Sequence, residues 1–140
     1  MRLRAALSIL ALTLVAACGG DDSTGPSGPD FSGNYTLIGS VNGFPTDDLA
    51  GTVSITAQTS TTASIVQTIN FRELGQTYFT IFTISPATAT IASNGSISWT
   101  FFYDGDPVNF SGTLNGNRIL GTWTAGTGGD AIGGSFTATK

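Results

Sequence analysis

Two hydrophobic patterns divide the chain. From Ala5 to Ala17 nearly every residue is apolar, interrupted only by Ser8 and Thr13. Beyond Phe31 the apolar residues alternate with polar or small ones, the two-residue period of strands that bury one face. Tyr35, Leu37, Gly39 and Val41 form the first such set, closed by Asn42-Gly43, a dipeptide suited to a tight turn. Val53, Ile55 and Ala57 form the next, ended by the Ser/Thr cluster Thr59–Thr62. Ala63, Ile65, Gln67, Ile69 and Phe71 share one face of a third strand, and Glu73-Leu74-Gly75-Gln76 reads as its turn. Gln76 to Ile84 is apolar on both faces, and Pro86 is expected to stop it. A short strand then spans Ala87 to Ala92. Asn94-Gly95 turns it into Ser96–Tyr103, where Ile97, Trp99, Phe101 and Tyr103 line a face. Asp104-Gly105-Asp106-Pro107 reads as a loop before Val108–Leu114, and Asn115-Gly116-Asn117 turns that strand into Arg118–Ala125. A glycine-rich loop, Gly126–Gly134, precedes a last strand ending at Thr139.

This pattern yields eight or nine strands and no helical stripe. The connections are too short for the crossovers that parallel pairing needs, so neighbouring strands are antiparallel. An up-and-down barrel is the first expectation, because closure hides the edges of an all-strand chain. A two-sheet β-sandwich is the alternative. Gly51, Gly112 and Gly121 fall inside strands, as sharply curved strands require.

The apolar run at the start has a different logic. Arg2 and Arg4 give it a positive beginning, and it ends on small residues. Thirteen helical residues rise about 20 Å, short of a hydrocarbon core of about 30 Å, so the order of features is that of an export signal. Its last residues, Val15-Ala16-Ala17-Cys18, resemble the lipobox of bacterial lipoproteins. The resemblance implies cleavage between Ala17 and Cys18 and lipid attached to Cys18. A plain secretory signal is the nearest rival, but it would leave an unpaired thiol in an oxidising compartment. Gly19 to Asp30 has no apolar side chain suited to a core and reads as a flexible tether. The expected organisation is a signal peptide over 1–17, a lipidated tether over 18–30 and an antiparallel β domain over 31–140. Gly19 stands where an aspartate would resemble an inner-membrane retention signal, which favours the outer membrane in a cell that has one.

Charge and rare residues then narrow the chemistry. Cys18 is the only cysteine and histidine is absent, so no disulfide, zinc site or common catalytic triad can be assembled. Loss of Arg2 and Arg4 takes the net charge from −4 to −6. Nucleic-acid binding and electrostatic attraction to anionic lipid are both poor on that balance, so the membrane link must be covalent. Glu73 with Asp104 or Asp106 could pair as glycosidase carboxylates, and Asp104, Asp106 and Asn109 offer oxygens to calcium. Each of these groups sits where solvated turn residues are the simpler reading. Gly126–Gly134 lacks the helix and lysine of a phosphate loop. No catalytic residue, metal or cofactor is expected, and an enzyme is the least favoured class.

One feature has functional pull. Tyr78, Phe82, Trp99, Phe101, Tyr103, Phe110 and Trp123 fall on the more apolar side of adjoining strands, as core filling or as the lining of a ligand cavity. Core filling is the favoured expectation. The chain resembles small Gly/Thr-rich β-barrel lipoproteins and, loosely, lipocalin- and avidin-type barrels. Gly121-Thr122-Trp123 matches their Gly-x-Trp signature but stands near the C-terminus rather than in the first strand, so no ligand is carried over. Two functions are expected to compete: a membrane-anchored binding module for a small apolar ligand or envelope component, and a structural or interaction lipoprotein with a filled core.

Overall fold

The computed structural model describes residues 28–72 and 79–140, with 79–86 and residue 130 described by backbone alone. Cys18, the apolar run, the tether before Gly28, the Glu73–Gln76 turn and Tyr78 lie outside the described residues, as does the side chain of Phe82.

The remaining chain forms eight strands in sequence order, closed into one antiparallel barrel. They are β1 (Gly33–Val41), β2 (Phe44–Thr56), β3 (Thr62–Arg72), β4 (Phe79–Ile91), β5 (Ser96–Tyr103), β6 (Asp106–Asn115), β7 (Arg118–Ala125) and β8 (Ile132–Thr139). Each pairs with its successor, and β1 pairs with β8 from Thr36–Thr139 to Gly39–Phe136. The barrel expectation holds, and the sandwich alternative is set aside. Inward residues are those of the apolar alternation: Leu37, Val53, Ile65, Ile97, Phe110, Ile119 and Ala138 are all buried. The outward positions are largely threonine and serine, whose β-branched or small side chains suit an exposed strand face.

Four element boundaries differ from the sequence expectation, one of them at β8, which begins at Ile132 inside the expected Gly126–Gly134 loop. β2 begins at Phe44, adding a segment whose Asp47-Asp48 pair masks the alternation. β4 runs through Pro86 without a break. The β3–β4 register passes from Ile65–Ala87 to Gln67–Ile84, so Ser85 and Pro86 together oppose Val66. That is a β-bulge, one of the few sheet positions that tolerates a residue without an N–H. The fourth difference is the Asp104–Pro107 loop. It is a two-residue turn with Tyr103 paired to Asp106, and Asp104 and Gly105 both have positive φ (50° and 89°).

Close approach of backbone explains the in-strand glycines. Gly112 and Gly121 face each other across β6 and β7. A Cβ on Gly121 would overlap the Ser111 carbonyl oxygen and lie 2.8 Å from the Phe136 ring. Gly121→Ala is expected to destabilise the barrel by at least about 1–3 kcal/mol, because backbone rather than a side-chain tip must move. Urea unfolding followed by circular dichroism would measure it.

The two ends of the barrel differ. The lower end carries the β2–β3, β4–β5 and β6–β7 turns, and there the incoming chain is drawn inside. Phe31 is fully buried. The Gln58 amide clamps its backbone, accepting from Phe31 N–H at 2.7 Å and donating to the Pro29 carbonyl at 2.7 Å. The Tyr35 hydroxyl donates to the Phe31 carbonyl at 2.7 Å. Docking among the described residues is thus seen from Pro29, within the stretch expected to be tether, because its carbonyl is held although its ring is exposed.

Burial, with Asp30 nearby, pushes the Tyr35 phenol up to about 12. Because the folded state holds this proton more tightly than the unfolded chain, stability from this group is intact below pH 10. It is lost as pH rises from there toward 12, by roughly 1.4 kcal/mol per unit. Tyr35→Phe should flatten that part of the stability–pH curve.

Candidate functional site

The aromatic track converges on one side of the interior. Trp99 on β5 is 3% exposed and lies parallel to Phe110 on β6, with ring centroids 5.1 Å apart. Phe136 on β8 meets both edge-on, at 5.9 Å from Trp99 and 5.3 Å from Phe110. Phe101 stacks on Phe110 at 5.9 Å. Strand alternation dictates this grouping, because Trp99 and Phe110 are register partners and Phe110 is paired onward to Trp123. Tyr103 follows the same parity but is half-exposed, since it is the last residue of β5 before the upper turn.

Trp123 has a separate task. Its indole N–H donates at 2.9 Å to the carbonyl of Ser40 on β1, reaching across β8. Gly134, its register partner on β8, makes this possible: a Cβ there would overlap the Ser40 carbonyl and crowd the indole nitrogen at 2.9 Å. Ser40 and Ser135 add a hydroxyl contact at 2.9 Å on the outside of the same seam. The seam joins the first and last strands, so one tryptophan helps to close the barrel. Beside it, Ile38, Gly39, Ser40, Asp48, Leu49 and Ser135 border an open surface groove of about 410 Å³.

Among the described residues two buried polar side chains interrupt the apolar interior: Asp47 and Gln67. Asp47 lies toward the upper end, where the Thr46 hydroxyl donates to it at 3.2 Å. Gln67, 1% exposed, is central on β3. Its Oε1 accepts the Trp99 indole N–H at 2.6 Å. Its Nε2 is buried without a hydrogen-bond partner among the described residues. Sequence parity already places Gln67 on the inward face with Ile65 and Ile69. The bond to Trp99, 32 residues away, is a product of closure.

Asp104 and Asp106 flank the exposed β5–β6 turn, and Glu73 lies outside the described residues. Asn109 sits on the outer face, where it accepts from Thr100 Oγ1 at 2.7 Å and donates to Thr124 Oγ1 at 3.4 Å. Among the described residues no group of three acidic, histidine or cysteine side chains is placed to hold a metal ion. Asp48 instead pairs with its register partner Arg72 on the surface.

No protein-family model matches the chain, and a comparison with curated proteins finds no match. Among solved structures the fold is similar to a redesigned β-barrel, mFAP1, bound to DFHBI, with a TM-score of 0.58 at 12% identity over 78% of this chain and 94% of that one. It is also similar to EF1p2_mFAP2b bound to DFHBI, with a TM-score of 0.59 at 10% identity over 78% and 92% of the two chains. These likenesses concern the fold.

Proposed function

We propose that this chain is a lipid-anchored envelope lipoprotein whose barrel is a non-catalytic binding module for a small apolar ligand. The ligand would reach the interior from the upper end. The observation that carries the reading is the asymmetry of the ends. Phe31 plugs the lower one, where the tether joins, and exposed apolar residues rim the upper one: Phe44, Phe102, Tyr103 and Ile132. An eight-stranded barrel can hold one small ligand, and the two designed barrels of similar fold hold DFHBI.

The outer wall supports a domain standing in water beside the membrane. Thr36, Thr52, Ser98, Thr100, Ser111, Thr113 and Thr122 are exposed there, whereas a barrel that spans lipid needs an apolar outer band. Attachment then falls to Cys18. Cys18→Ser is expected to abolish acyl labelling and to leave an unprocessed precursor; normal processing and membrane fractionation of that variant would refute the anchor. For the interior, apolar ligands should shift the emission of Trp99 and Trp123. Unchanged emission across a chemically varied panel would favour the second reading, a structural lipoprotein with a filled core. The close stack of Trp99, Phe110 and Phe136 favours that reading for the β5–β8 side.

A further inference from the structure

Gln67 is costly where it stands. A buried amide nitrogen without an acceptor has given up its water partners with nothing in return. Its orientation is fixed by chemistry: the Trp99 indole nitrogen can only donate, so the amide oxygen must face it and the amide nitrogen must face away. Its register partners, Val53 on β2 and Ile84 on β4, carry no hydrogen-bonding side chain. A leucine would fill a merely structural position without the penalty. The amide therefore presents two N–H donors to the interior with nothing among the described residues to receive them.

We infer that Gln67 is a specificity-determining donor for the barrel's ligand, and that the ligand is a non-anionic molecule carrying a carbonyl-type acceptor. This rests on the binding reading above and names the ligand class for that site. The acceptor follows from the unpartnered N–H groups. An anion is disfavoured because, among the described residues, the interior holds no buried cation to receive it.

Two probes of nearly the same shape separate the possibilities. 2-Acetylnaphthalene carries a ketone oxygen, and 2-isopropenylnaphthalene carries a CH₂ group in its place. Isothermal titration of the folded barrel should show the ketone binding at least about tenfold more tightly, the 1.4 kcal/mol scale of one hydrogen bond. Gln67→Leu should erase or reverse that preference. The side-chain amide resonances of Gln67 in ¹⁵N-labelled wild-type protein should move with the ketone and stay with the alkene, a readout that does not depend on the variant folding. Equal affinity for the two probes, with an unmoved Gln67 amide, would overturn the role of Gln67 and leave the binding module standing. Failure of both probes to bind would overturn the donor role and the binding reading together.

Discussion

Trp99→Ala is expected to lower stability by about 3–5 kcal/mol, a large share of the total for a domain of this size. The ring is 3% exposed, and its loss would remove the plane against which Phe110 stacks and the edge contact to Phe136. It would also orphan Gln67 Oε1, so that both ends of a buried amide lack partners. Trp99→Phe keeps much of the packing and removes only the donor, and should cost less by the difference between a cavity and a hydrogen bond. Trp123→Ala should be comparable in size but different in kind. It frees the Ser40 carbonyl at the β1–β8 seam, so loss of amide protection should concentrate in those two strands. Chemical unfolding of the three variants, with hydrogen exchange for Trp123→Ala, checks these expectations. Ready quenching of either tryptophan by acrylamide in the folded wild type would contradict the burial on which they depend.

The second large effect is expected at the plug. Phe31 is fully buried at the lower end, and Phe31→Ala should cost about 3–5 kcal/mol. Removing the chain up to and including Phe31 should cost more, because Gln58 loses both backbone partners and the Tyr35 hydroxyl loses its acceptor. A chain beginning at Pro29 retains every one of these contacts and should unfold like the longer protein. If the chain lacking Phe31 were equally stable, the lower end would not be closed by this segment. The contrast between the ends would then lose its force.

Much of this fold was legible in the residues because one face of each strand is buried. Where apolar and Ser/Thr positions alternate, as in Ser96–Tyr103 and Val108–Leu114, a register slip would turn the core outward, and the sequence specifies the face directly. Local rules failed where a neighbouring strand decides the outcome. Pro86 reads as a stop in isolation, yet the bulge opposite Val66 accommodates it. Phe44–Asp48 hides its parity behind two acids, one of which, Asp47, is buried. The site was legible in part. Parity placed Trp99, Phe101, Phe110 and Trp123 together and also placed Gln67 on the same inward face, a polar break in an apolar row. That break was a signal, but its partner across the barrel becomes visible only on closure. Gln58 gave no signal, since a glutamine beside a Ser/Thr turn is ordinary until Phe31 folds back onto it.

The central claim is a lipid-anchored barrel that admits one small ligand, and native mass spectrometry of the full lipidated chain released from membranes tests it most directly. The account predicts a one-to-one complex with a small molecule, either carried from the cell or formed on saturation with 2-acetylnaphthalene, on a protein bearing acyl chains at Cys18. A chain recovered only as the ligand-free species, even in the presence of saturating probe, would contradict it and leave a barrel filled by its own side chains.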